Sequence, residues 1–249
     1  MKNFKKLKIL ITGSSKGIGL SVAKKLSKNK NNLIYINGRN KNNLLNVKKE
    51  IKNCHLIQGD ITNKKVLKKI SNGIKDLDVL ICNVGTGKAS VEQGKEKKID
   101  WEKSFKVNFY SAVDTIKAFE KKLIRNKGTI ICISSICGLE YIDGAPLAYS
   151  VSKSALNTFV RSYSRFLGPK GVNINAIAPG NILFKGSSWE KKLTNNRKKT
   201  MDFINKEVPM KKFGNDIAIS NLVSYLVEDK SKFINGSILV ADGGQTRSF

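Results

Sequence analysis

Histidine is almost absent from this chain: His55 is the only one in 249 residues. A lone imidazole excludes a histidine-based catalytic triad and a multi-histidine zinc site, so no metal is expected. The four cysteines, Cys54, Cys82, Cys132 and Cys137, form no CxxC pair. They read as structural thiols of a reducing compartment rather than a disulfide framework. No apolar run approaches the ~18 residues that a membrane-spanning helix needs. The opening MKNFKKLKILITG is basic and then apolar. Residues 7–11 are too short for a signal-peptide core, and no small-residue cleavage site follows. The segment reads as a first β-strand, and the cytoplasm is the expected location.

Acidic residues are also scarce: 19 Asp and Glu stand against 46 Lys and Arg, a net charge of +27. Such a balance raises binding to nucleic acid or an anionic membrane. The lysines, however, are spread along the chain among asparagines and isoleucines. Aromatics do not interleave with the basic runs as a single-strand binder requires. The composition fits a solvated basic surface with no specific nucleic-acid partner and no membrane partner. Such a surface attracts anionic substrates, including acyl carriers and nucleotide sugars. A non-catalytic NADP sensor or nucleic-acid-associated protein is the competing reading of the charge.

What is present is a rhythm. Apolar runs of strand length fall at residues 8–12, 33–37, 55–58, 79–83, 129–134, 173–178 and 237–240. They are rich in Ile, Val and Leu without alternation, as expected when both faces of a strand are covered. Amphipathic stretches at 17–28, 41–52, 64–71, 101–125, 148–167 and 216–228 lie between them. Repeated β–α units predict an α/β fold: a Rossmann-type, doubly wound, seven-stranded parallel sheet with helices on both faces. Without a linker or repeat, residues 1–249 form a single domain. Residues 180–212 break the rhythm with a long connection containing Trp189 and a basic stretch at 191–199. Its length and its place beyond a strand's carboxyl end predict a substrate-binding lid.

The first strand runs into Gly13-Ser14-Ser15-Lys16-Gly17-Ile18-Gly19, which opens a helix. Gly13 permits the tight turn, Gly17 a close backbone approach to a pyrophosphate, and Gly19 close helix–strand packing. The helix start offers free N–H groups and a partial positive charge to the phosphates. At the end of the second strand, Ile36-Asn37-Gly38-Arg39-Asn40 holds no carboxylate for a ribose 2′-hydroxyl. Arg39 and Lys16 instead suit a 2′-phosphate, which favours NADP(H) over NAD(H).

Tyr149 and Lys153 in AYSVSK lie at i and i+4 on one helical face. A free tyrosine titrates near 10, and a neighbouring ammonium together with an oxidised nicotinamide is expected to lower that value. Tyr149 can then exchange a proton with a carbonyl or alcohol oxygen while a hydride moves. Ser135 follows the fifth strand and can hold the substrate oxygen, with Ser134 the alternative. Asn108, in a long helix, can hold a water that links Lys153 to solvent.

These motifs, in this order, resemble the short-chain dehydrogenase/reductase family along essentially the whole chain. Residues 12–19 resemble its TGxxxGIG turn. Asp60 and Ile61 match the segment that contacts the adenine. Asn83 and Gly85 remain from NNAG, with Cys82 and Val84 replacing Asn and Ala. Asn108, Ser135, Tyr149 and Lys153 match the catalytic tetrad, and Tyr149 and Lys153 also reach the ribose. Pro179 and Gly180 match the motif beside the nicotinamide, with Ile182 placed for a carboxamide contact. Asp242-Gly243-Gly244 resembles the C-terminal signature. Two features depart from the pattern. Phe184 stands where threonine is common, which implies a more apolar roof. The 138–147 loop is one residue longer than in many members. Within the family the chain is most similar to 3-oxoacyl-acyl-carrier-protein reductases. That resemblance implies a ketone or secondary-alcohol substrate, on an acyl carrier or a nucleotide, with Arg125, Lys127 and Lys170 near the carrier. The unusual 180–189 stretch suggests, as an alternative, a sugar, nucleotide-sugar or polyol dehydrogenase of surface glycan synthesis. The family also implies a homotetramer or dimer.

Overall fold

The computed structural model describes residues 6–88, 91–228 and 231–247; the basic start, residues 1–5, lies outside them. Its strands are β1 (Lys8–Ile11), β2 (Leu33–Gly38), β3 (Cys54–Gln58), β4 (Val79–Cys82), β5 (Thr129–Ile133), β6 (Asn173–Pro179), β7 (Ile182–Leu183), β8 (Gly214–Asn215) and β9 (Ile238–Ala241). The helices are α1 (Gly17–Ser27), α2 (Lys41–Glu50), α3 (Lys64–Gly73), α4 (Lys98–Phe105), α5 (Ser111–Asn126), α6 (Leu147–Leu167), α7 (Ser188–Asn195), α8 (Arg197–Glu207) and α9 (Asp216–Val227). Seven strands form one sheet in the order β3-β2-β1-β4-β5-β6-β9, every pair parallel. The direction of winding reverses between β1 and β4, where a ligand crevice opens at the strands' carboxyl ends.

The missing alternation has a simple cause: alternate residues of each central strand enter two different cores. Ile9, Ile11, Ile81 and Ile131 pack under α1, α2 and α9. Leu10, Leu80, Ile130 and Ile174 pack under α3, α5 and α6. Each such side chain contributes roughly 1.5–3 kcal/mol by leaving water. The edge strands β3 and β9 are only partly buried. His55, on β3, is exposed, with its ring 5.6 Å from that of Tyr35.

The expected helix over 101–125 is two helices, α4 and α5, joined by a π-helical turn, Lys106–Tyr110. Residues 180–212 hold the β7 strand and helices α7 and α8, with β7 pairing to β8. Trp189 of α7 stacks on Phe203 of α8 at 5.6 Å and tilts against Phe213 at 5.4 Å. The segment therefore carries an aromatic core of its own. Asparagine or serine starts most of these helices: Asn40, Asn63, Ser187, Asn196 and Asn215 accept amides of α2, α3, α7, α8 and α9. No described helix is long and apolar enough to cross a membrane.

Candidate active site

The glycine turn after β1 is built by packing as well as by phosphate chemistry. Gly17 has φ +57°, a left-handed value open to glycine. A Cβ on Gly19 would lie 2.5 Å from Asn83 Nδ2 and 2.8 Å from Gly13 O, so α1 can approach β4 this closely only without a side chain there. The N-cap of α1 is Lys16, which makes no side-chain cap. Its first amides are therefore uncommitted by any cap, which suits a bound phosphate. The Phe184 ring lies against this turn, 2.7 Å from where a Cβ on Gly17 would stand.

Two asparagines, buried Asn37 and half-buried Asn83, brace the crevice. Asn83 Nδ2 donates to the carbonyls of Thr12 and Gly13, both at 3.0 Å, and its backbone N–H donates to Thr12 Oγ at 3.0 Å. Asn37 Oδ1 accepts from Gly13 N–H at 3.3 Å, while its Nδ2 donates to the carbonyls of Ile57 and Gly59 at 3.1 Å. Asn37 thus ties together the carboxyl ends of β1, β2 and β3. Beside it, Asp60 Oδ1 accepts from the N–H and hydroxyl of Thr62. Arg39 Nη1 stands 3.9 Å from Asp60 Oδ2, its side chain 81% exposed. Burial pushes the Asp60 carboxyl up, but the two Thr62 bonds and the Arg39 and Lys106 charges outweigh it and hold it below its ordinary range.

At the chemical centre, α6 presents Tyr149 and Lys153 together, with Lys153 Nζ 6.0 Å from the Tyr149 ring centre. Lys153 is 3% exposed and donates to Ile133 O at 2.7 Å. A Cβ on Gly85 would be 3.2 Å from both Lys153 Nζ and Asn108 Oδ1, which puts these two groups at the same spot of the crevice. The π-helical turn directs Asn108 inward. Its Oδ1 accepts from Thr86 N–H at 2.7 Å and its Nδ2 donates to Ser104 Oγ at 3.1 Å. Ser104 and Ser152 share a hydrogen bond at 3.2 Å, and Ser152 Oγ donates to Tyr149 O at 2.7 Å.

Ser135 caps the short 3₁₀ turn Ile136–Gly138, accepting from Cys137 N–H at 3.2 Å. Its hydroxyl also acts on the Tyr149 phenol, favouring the charged form. The Ser134 hydroxyl faces the other way and donates to Asn157 Oδ1 at 2.6 Å, while Asn157 Nδ2 donates to Gly138 O at 3.1 Å. The Ser134 hydroxyl is thus committed to Asn157.

Among the chain's own groups, burial dominates the electrostatics of Tyr149. Burial pushes its phenol well above the ordinary value and Cys137 adds to the rise, while the Ser135 hydroxyl pulls it back in part. The same dryness lowers Lys153 to about 8, against the opposing influence of Cys132, Cys137 and Cys82. With the chain's own residues alone, Tyr149 is a phenol at neutral pH.

A family model described as enoyl-(acyl carrier protein) reductase, a short-chain dehydrogenase/reductase model, matches residues 13–246. The chain belongs to the short-chain dehydrogenase/reductase family. It is an oxidoreductase of that family. Isoepoxydon dehydrogenase of Penicillium expansum is 28% identical over 95% of this chain and 93% of that one. The 3-oxoacyl-(acyl-carrier-protein) reductase of Staphylococcus epidermidis is 28% identical over 94% and 97%. Among solved structures, YwfH, an NADPH-dependent reductase involved in bacilysin biosynthesis, superposes with a TM-score of 0.88 at 25% identity, covering 98% of this chain and 100% of that one. L-sorbose reductase from Gluconobacter frateurii superposes with a TM-score of 0.89 at 22% identity, covering 98% of each chain. The seven-stranded parallel sheet with helices on both faces agrees with the sequence expectation. Asn37, Ser104, Ser152 and Asn157 are the site residues that sequence reasoning missed. A buried asparagine or serine between motifs carries no spacing signal.

Proposed function

We propose that this dehydrogenase is an NADP(H)-dependent reductase that converts a ketone to a secondary alcohol, with 3-oxoacyl thioesters as its substrate class. The observation that carries the reading is the meeting of Tyr149, Lys153, Ser135 and Asn108 beside a glycine turn whose helix lacks a cap. The 3-oxoacyl-(acyl-carrier-protein) reductase relative supports the substrate class. Exposed Arg39 and Lys16 at the cofactor end support the 2′-phosphate, as does the likeness to an NADPH-dependent reductase. NADPH, held at the glycine turn, would supply a hydride to the carbonyl carbon. Ser135 accepts from the Cys137 amide and keeps its own proton to donate to the substrate oxygen. The Tyr149 phenol gives its proton to that oxygen, completing the alcohol and leaving a phenolate. The Lys153 ammonium stabilises the phenolate, and Asn108 fixes the surrounding loop through Thr86.

The test is oxidation of NADPH and NADH with acetoacetyl-CoA. Wild-type protein is expected to prefer NADPH, and Arg39→Asp to lower that preference roughly tenfold or more by removing the phosphate's partner. An unchanged preference in the variant would dismiss Arg39 as the 2′-phosphate ligand. We assign the enzyme to the cytoplasm, in keeping with its four free thiols.

We also propose assembly into a homotetramer. Tyr110, Val151 and Phe166 are 51%, 44% and 48% exposed. They lie on α6 and the π-helical turn before α5, beside a groove of about 540 Å³ lined by Phe109, Ala155 and Phe159. A contiguous apolar face of this kind is costly in water. Light scattering on the eluting protein is expected to give four times the 27.6 kDa chain mass; a monomeric mass would end the proposal.

A further inference from the structure

Tyr149 stands two residues into α6, and the start of that helix is unusual. Pro146 is the N-cap and offers no side-chain acceptor. The first amide of α6, on Leu147, donates instead to Glu96 Oε1 at 2.7 Å, from a loop 51 residues earlier. Glu96 Oε2 accepts from Gly94 N–H at 2.8 Å, which fixes the carboxylate from its own side. Three residues before it, Gln93 grips the loop that leads into α6. Its Oε1 accepts from Gly144 N–H at 3.1 Å and from the Tyr141 hydroxyl at 3.2 Å. Its Nε2 donates to Ile142 O at 3.4 Å.

Three facts set these contacts apart from ordinary loop bonding. In the run 92–98, Gln93 and Glu96 are the half-buried side chains, while Glu92, Gly94, Lys95, Lys97 and Lys98 are exposed. The chain has 46 cations and only 19 acids, yet Glu96 directs both oxygens to backbone amides amid neighbouring lysines. A carboxylate at a helix N-terminus is also favoured by the helix dipole, so Glu96 stabilises the first turn electrostatically as well as by the bond itself. The two loops joined in this way flank Tyr149: Gly87 of the first lies 3.5 Å from its ring, measured from an added Cβ, and the second runs directly into its helix.

We infer that Gln93 and Glu96 are positioning residues for the reduction: Glu96 fixes the helical turn that aims the Tyr149 phenol, and Gln93 fixes the 141–144 loop, which runs between Ser135 and Tyr149 and so borders the place of the carbonyl. The inference rests on the reading of Tyr149 as the proton donor. Gln93→Ala frees residues 141–144 and raises KM for the carbonyl substrate. Glu96→Ala frees the first turn of α6 and lowers kcat. Neither side chain is at the glycine turn, so NADPH affinity stays within about twofold.

The test combines hydrogen exchange with kinetics on acetoacetyl-CoA. In wild-type protein, peptides containing Gly144 and Leu147 are expected to exchange slowly, and each alanine variant to speed the peptide it contacts. The expected kinetic change is about tenfold or more in kcat/KM, carried by KM for Gln93→Ala and by kcat for Glu96→Ala. Glu96→Gln keeps an acceptor for Leu147 and should recover most of kcat, and Gln93→Glu keeps the acceptor for Gly144; both are near-isosteric and guard against loss of fold. Unchanged exchange in both alanine variants overturns the inference, whether or not acetoacetyl-CoA is the right carbonyl. Faster exchange with unchanged kinetics overturns it too, leaving the bonds a structural role only. Absence of wild-type turnover on this probe counts against the proposed substrate class, and exchange then decides the inference.

Discussion

Replacing Tyr149 by phenylalanine is expected to cut reduction of acetoacetyl-CoA by about 10²–10⁴-fold, the usual worth of a positioned proton donor. The ring and its packing against the crevice remain, so NADPH should bind within about twofold of wild type, read by the nucleotide's fluorescence. The raised phenol adds a direction to this. Tyr149 holds its proton through neutral pH, so reduction should be flat there. Alcohol oxidation needs the phenolate and should climb with pH through the alkaline range. A variant that turns over normally would remove Tyr149 from the mechanism, and a flat oxidation profile would remove the phenol as its titrating group.

Lysine 153 should be expensive to keep. Burial lowers it from 10.5 to about 8, a penalty of about 3 kcal/mol on the charged form. Lys153→Met removes the charge at similar length, but leaves Ile133 O without its donor, a loss of roughly 1–2 kcal/mol. The net expectation is a variant more stable by about 1–2 kcal/mol, with Tm higher by roughly 2–8 °C, and inactive. The sign with pH follows from linkage. Below about 8 the folded ammonium stays charged and the penalty is complete. Between there and 10.5 the folded protein sheds a proton that the unfolded chain keeps, so the penalty fades as pH rises. The Tm difference between variant and wild type should therefore shrink from pH 7 to pH 10. A gain that is absent at pH 7, or that grows with pH, would mean the ammonium is better solvated than its burial implies.

Much of this architecture was legible because it depends on near neighbours in sequence. The glycine turn, the Tyr149–Lys153 spacing and the strand-length apolar runs are local patterns, and each central strand is buried on both faces as its composition implies. What stayed hidden depends on distant partners. The π-helical turn at Lys106–Tyr110 falls inside one continuous amphipathic pattern, because one extra residue in a turn barely alters the average period. Asn157 bonds to Ser134, 23 residues away, and Ser104 to Ser152, 48 away. Neither pairing leaves a mark on the sequence around it. Tyr149 is instructive in another way. Its neighbour Lys153 was visible, and the expected lowering followed from that charge. The burial around both groups depends on the whole sheet and its helices, and among the chain's own groups it is the larger influence on the phenol.

The asparagine caps have a consequence for acid. Asn40, Asn63, Asn196 and Asn215 hold their helix amides through groups that carry no titratable proton. Acidification leaves these helix starts fastened, where aspartate caps would loosen. At Asp76, bonds to Lys8, Arg125 and Asn126 hold the carboxyl well below its ordinary range, so that junction also outlasts mild acid. Acid also raises the sum of charge on a chain already at +27. Its failure at low pH is then a matter of mutual repulsion across the whole surface, which dissolved salt relieves. Added salt is therefore expected to carry the fold further into acid.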